Sequence, residues 1–75
     1  MDTGINKVSP KALLKSKWTK VDVTKKEKHF LIKVVKYDEH QKVVKCVIEA
    51  VMTKNEYTID WRELKNSNTW LIGWQ

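Results

Sequence analysis

Apolar and polar residues alternate with a period of two from Trp18 to Val23. That is the spacing of a half-buried β-strand rather than a helix. Trp18-Thr19-Lys20-Val21-Asp22-Val23 predicts a first strand, and Thr24 to Lys28 a charged connection. His29 to Tyr37 predicts a second strand, and the β-branched run Val43 to Thr53 a third. Val43, Val47 and Val51 also recur every four residues, as a helix would require, so pairing decides. With Tyr37 opposite Val43 across the Asp38–Lys42 loop, Val34 faces Cys46, Ile32 faces Ile48 and Phe30 faces Ala50. With Lys54-Asn55 as a two-residue turn, Met52 faces Tyr57, Ala50 faces Ile59 and Ile48 faces Trp61. Both hairpins put Cys46, Ile48, Ala50 and Met52 on one face, an agreement that a slip of one residue would break.

The period changes near the ends. Residues 1–7 read as a flexible N-terminus and 8–75 as one small domain. Ser9 is a suitable N-cap, Pro10 fits a first helical position, and Val8 and Leu13 sit where a hydrophobic staple would place them. A short helix follows, too short to stand alone, so Leu13 and Leu14 are expected to pack on the sheet. Asp60-Trp61-Arg62-Glu63 reads as a capping box opening one helical turn, Trp61 to Lys65. Asn66 to Asn68 is a loop, and Thr69 to Trp74 a last strand with Trp70, Ile72 and Trp74 on one face and a bulge at Gly73. The order predicts a mainly β protein. It fits a five-stranded SH3-like or Tudor-like barrel, or a curved antiparallel sheet, with a short N-terminal helix and a helical turn before the last strand. Such barrels host unrelated functions, so the fold alone assigns none.

Charge sharpens this picture. The formal net charge is +6, unevenly spread. Residues 7–36 hold ten lysines against Asp22 and Glu27, whereas residues 37–75 are close to neutral and contain three of the four tryptophans. A lysine surface of this kind suits an anionic partner, or serves solubility. Arg62 is the only arginine, so base-specific readout is not expected, and any nucleic acid would be recognised by backbone or shape. Exposed aromatics beside lysines can stack on unpaired bases; otherwise the same rings build the core. Trp18, between Lys17 and Lys20, is open to either use, whereas Trp61 and Trp70 read as core. Trp74 would cover a core edge or dock a partner. Tyr37 shares a second apolar face with Leu31 and Val35, which needs a cover from the N-terminal helix or a second copy of the chain.

Catalytic chemistry finds little support. Glycine occurs only at positions 4 and 73, so there is no phosphate-cradling loop, and no serine sits in a nucleophile elbow. Cys46 is expected to be buried, and with His29 and His40 it falls short of a zinc site. No metal and no cofactor is therefore expected. The lone cysteine allows no internal disulfide, the N-terminal residues carry no apolar signal core, and no apolar run is long enough to span a bilayer. These features point to the cytoplasm.

Asn6-Lys7, Ser9-Pro10-Lys11, Leu13-Leu14, Ser16-Lys17-Trp18-Thr19, Glu27-Lys28-His29-Phe30, Glu49-Ala50-Val51, Thr53-Lys54, Tyr57, Trp61-Arg62-Glu63-Leu64-Lys65, Trp70 and Gly73-Trp74 together form a pattern. It resembles the small bacterial tryptophan-rich proteins classed as a domain of unknown function. The resemblance covers residues 6–74 and implies a bacterial, single-domain protein in which all four tryptophans belong to the family pattern.

The resulting expectation is a non-enzymatic basic module that binds nucleic acid or assists gene regulation. Lys15, Lys17, Trp18, Lys20, Lys25, Lys26, Lys28 and Lys33 would form the contact surface. The alternative is a protein-interaction adaptor or homodimer using Tyr37 and Trp74.

Overall fold

Lys25 and Lys26 both adopt left-handed backbone angles, with φ of 54° and 62°. They reverse the chain in two residues, so the first hairpin is tighter than its charged sequence suggests. In the computed structural model, which describes residues 5–75, this turn joins strand β1 (Lys17–Thr24) to β2 (Glu27–Tyr37). Strands β3 (Val43–Ala50), β4 (Glu56–Thr58) and β5 (Trp70–Ile72) complete one five-stranded antiparallel sheet in the order β4-β3-β2-β1-β5. The sheet is open, with β4 and β5 at its edges. Single 3-10 turns at Pro10–Ala12 and Trp61–Lys65 are the only helical elements among the described residues. The expected order of elements is the observed one.

The register of β2 against β3 matches the expectation at Phe30↔Ala50, Ile32↔Ile48 and Tyr37↔Val43. Between these points it departs: Val34 pairs with Val47, and Val35, not Val34, lies opposite Cys46. Lys33 is an extra residue on β2 and Val44 a compensating one on β3. The bulge turns Val35 toward the core, against which it packs, so Val35 does not belong to a second apolar face with Leu31. The second hairpin is shifted further. Ile48 pairs with Tyr57 and Glu49 with Glu56, four residues from the expected register, so Met52 lies in the connection and is 78% exposed. Four is an even slip, which keeps Ile48 and Tyr57 on the expected side.

Leu13, Trp18, Phe30, Ile32, Cys46, Ile48, Ala50, Leu64 and Trp70 form the core on one face of the sheet. The chain before β1 crosses this face and contributes Leu13, whereas Leu14 is exposed. The expected helix there is a three-residue 3-10 turn, with Pro10 in its first position and no side-chain cap from Ser9. Asp60 does cap the second turn, accepting from the Arg62 N–H at 3.0 Å. Of the expected flexible segment 1–7, residues 1–4 lie outside the described residues. Ile5 and Asn6 are tied down instead. Ile5 bridges to Asn66, and the Asn6 side chain donates to the carbonyls of Leu64 (2.8 Å) and Trp70 (2.7 Å).

The last strand stops after Ile72, because Gly73 has φ +77° and turns the chain onto the other face of the sheet. The Gly73 N–H donates to the Lys17 carbonyl (2.8 Å) and the Trp74 indole N–H to the Phe30 carbonyl (3.0 Å). Trp74 is therefore not in line with Trp70 and Ile72. The chain covers part of its own second face with residues 73–75, whereas the N-terminal segment lies on the core side through Leu13.

Candidate nucleic-acid interface

The β1–β2 hairpin carries Lys17, Lys20, Lys25, Lys26 and Lys28. Its pairing runs in register from Lys17↔Leu31 to Thr19↔His29 and resumes at Thr24↔Glu27. Four residues of β1 thus stand opposite one of β2, and the intervening arc, Lys20 to Val23, bows away toward β5. The tip is closed again by Glu27. That carboxylate is buried and accepts from Thr53 Oγ1, from Tyr57 Oη (2.6 Å) and from Asn55 Nδ2 (3.0 Å). These donors, Thr53 foremost and then Tyr57, hold its pKa below the ordinary 4.5 against the opposing effect of burial, and the charge of Lys25 adds to them. Glu27 is thus absorbed by the fold, and the surface charge of the hairpin is that of its lysines with Asp22, exposed on the arc, as the one opposing carboxylate.

Lysine in the left-handed region costs about 1 kcal/mol per residue relative to a right-handed conformation, and glycine or asparagine is the favoured choice there. Lys25 and Lys26 both bear that strain in an exposed turn with no packing role. Lys15, Gln41 and Lys54 adopt the same backbone region elsewhere, so the strain by itself does not single out this turn.

On one side of the hairpin, Lys26, Lys28, His29, Val51 and Met52 line a trough of about 350 Å³. His29 leads from it to Trp74, whose ring centroid is 5.9 Å away at an interplanar angle of 33°. The Lys17 ammonium lies 4.7 Å from the Trp74 ring centre. On the core side, Lys20 stands over Trp70 at 5.9 Å and, with Lys25, Glu27 and Tyr57, borders a cleft of about 410 Å³. The hairpin therefore presents cations on both of its faces.

Three expected members of the surface are placed elsewhere. Trp18 is 4% exposed, with its indole N–H donating to Ser16 Oγ (2.9 Å), so it packs the core and offers no stacking face. Lys33, on the bulge, is paired with Glu56 (2.6 Å) and Glu49 (3.3 Å), which raise its pKa, Glu56 the more. Lys15 lies before β1, at the end of the hairpin away from its tip, where its N–H donates to the Ile32 carbonyl (2.9 Å). Tyr37 and Trp74 do not form one protein-docking site. Tyr37 follows Val35 on the core side and donates to the Pro10 carbonyl (2.6 Å), whereas Trp74 lies on the opposite face. Sequence reasoning missed His29 and Met52, which complete the trough.

The other candidate chemistry is quiet. Cys46 is buried, and burial, with a smaller contribution from Asp60, pushes its thiol pKa up, the reverse of an activated thiolate. Among the described residues there is no group of three His, Cys, Asp or Glu side chains placed to hold a metal, and no helix is long and apolar enough to cross a membrane.

The four tryptophans thus divide into buried Trp18 and Trp70, half-buried Trp61 between Arg62 and Lys65, and exposed Trp74 beside Lys17. A family model described as tryptophan-rich protein (DUF2389) matches residues 16–75, which include all four. The chain belongs to that family. No curated protein and no solved structure matches it. In this member of the tryptophan-rich family the matched region begins just before β1 and so contains the whole sheet, the lysine hairpin and Trp74.

Proposed function

We propose that this tryptophan-rich protein is a non-catalytic module that binds nucleic acid through its β1–β2 hairpin, acting in the bacterial cytoplasm as an accessory to gene expression. One observation carries the reading. Lys17, Lys20, Lys25, Lys26 and Lys28 share one hairpin, and among the described residues none of them is within salt-bridge distance of a carboxylate. Lysines deliver point charges to phosphates, so recognition is of the backbone, with little sequence preference. The strand order, with a 3-10 turn between β4 and β5, supports reading the fold as an opened relative of the SH3-like barrels. That analogy adds no function.

The test is fluorescence anisotropy of a labelled oligonucleotide across a salt series. Each phosphate contact contributes about −0.7 to the log–log slope on a single strand and about −0.9 on a duplex, so the five lysines set upper limits of about −3.5 and about −4.5. Lys25→Glu with Lys26→Glu lowers the affinity and makes the slope shallower. Lys11→Glu with Lys42→Glu changes net charge equally at exposed sites off the hairpin. Equal losses in the two double variants would mean that net charge, not the hairpin, governs binding.

A further inference from the structure

The geometry points to single-stranded nucleic acid as the ligand class of this hairpin, with Trp74 as the platform on which an unpaired base stacks. This rests on the hairpin reading and adds a second, separable contact to it.

Trp74 is 44% exposed, yet its polar edge is already used by the hydrogen bond to the Phe30 carbonyl. The exposed part of the ring is flanked by the Lys17 ammonium and the His29 ring. The backbone on either side is fixed to one buried side chain: Thr19 Oγ1 donates to the Gly73 carbonyl and accepts from the Gln75 N–H, both at 2.8 Å. His29 Nε2 is 3.0 Å from the Gln75 carbonyl, and the His29 ring rests against the indole. A ring held by this many contacts is pre-organised, so a ligand stacking on it meets little ordering cost.

Its surroundings fit a nucleotide rather than an apolar partner. The Lys17 ammonium lies over the ring, 4.7 Å from its centre; a stacking base takes its place on that face, and the displaced ammonium is left to neutralise the phosphate next to the base. From His29 the trough runs past Lys28 and Met52 to Lys26 at the hairpin tip. It combines lysines with the apolar Val51 and Met52, and His29 links it to Trp74 outside it; cations beside a ring suit a single-strand backbone whose bases stack. A duplex keeps its bases stacked on each other and offers Trp74 no free face.

The experiment uses the full chain with a single strand and a duplex of the same sequence. In the unaltered protein, the single strand shifts the Trp74 indole N–H resonance and leaves the indoles of buried Trp18 and Trp70 unmoved; the duplex does not shift it. Trp74→Ala lowers single-strand affinity about 5- to 150-fold, the range of one lost base–aromatic stack, and Trp74→Phe recovers part of it. The salt slope set by the hairpin lysines stays the same. A single strand that binds with an unmoved Trp74 resonance and an unchanged affinity in Trp74→Ala overturns the stacking site and leaves the hairpin reading standing. Absence of binding by either oligonucleotide at low salt overturns both.

Discussion

Tyr57 on β4 donates its hydroxyl to Oε1 of Glu27, 2.6 Å away, at the base of the lysine turn. Thr53 and Asn55 occupy the other oxygen, Oε2, so one buried carboxylate joins the hairpin tip to the β3–β4 connection and to an edge strand. The tip is long and loosely paired along Lys20 to Val23, and this anchor holds it in place.

That anchor predicts a pH profile for stability. The folded pKa of Glu27 is depressed, so its contribution is complete above the unfolded value near 4.5 and is lost as pH falls through the folded value. The Tyr57 pKa is raised, first by its hydrogen bond to Glu27 and then by burial, so its contribution is complete below 10.0 and is lost as pH rises through the folded value. The melting temperature is therefore expected to be level between these limits with respect to this pair and to fall outside them. Glu27→Gln should lower it at pH 7 and reduce the acid-side dependence, as followed by circular dichroism. An unchanged acid limb in Glu27→Gln would show that other carboxylates govern it.

The turn itself gives a prediction in which stability and binding move in opposite directions. Lys25→Asn with Lys26→Gly places the preferred residues at two positions of positive φ. The double variant should be more stable by about 1–2 kcal/mol, because left-handed backbone no longer opposes a long side chain. It should also bind nucleic acid more weakly, having lost two cations from the tip. Chemical denaturation and anisotropy on the same sample measure both; a gain in stability with unaltered affinity would remove these two lysines from the interface.

Much of this architecture is legible in the residues, and the misses have physical causes. Alternation fixes which face a residue takes, and Ile48 and Tyr57 lie on the expected side. Parity cannot distinguish registers that differ by an even number, which is how β4 came to sit four residues away. The bulge at Lys33 is invisible to alternation, because Val34 and Val35 are equally apolar, and only the ion pairs with Glu49 and Glu56 distinguish the site. The surface charge was readable as lysines concentrated before Tyr37. That they share one hairpin depended on a two-residue turn at Lys25-Lys26, where sequence preference argues against a turn. Gly73 did signal a local departure, but not that Trp74 would cross to the other face.

Gly73 allows a direct check of that crossing. A Cβ built there meets nothing within 4 Å, so the consequence of Gly73→Ala is conformational, not steric. At φ +77° alanine costs about 1 kcal/mol, equivalent to a fall of about 4–8 °C in melting temperature for a chain of this size. Relief of the strain would swing Trp74 away from Phe30, so its fluorescence should shift to the red. A variant with wild-type melting and emission would show that the positive φ is not required to place Trp74.

Asn6 tests the N-terminal closure. Its amide donates to both the Leu64 and the Trp70 carbonyls, linking the end of the second 3-10 turn to the start of β5. Asn6→Ala leaves two partly buried carbonyls without these donors, a loss of about 1–3 kcal/mol. Asn6→Asp should be worse, because a carboxylate brings negative charge against two acceptors and cannot donate to them. Trp70 packs on Phe30 in the core at 5.1 Å, so loosening this end should also broaden the near-ultraviolet signal of the buried aromatics before global unfolding. If both variants melt like the wild type, the Asn6 hydrogen bonds contribute nothing to stability, and the N-terminal segment supports the core through Val8 and Leu13 instead.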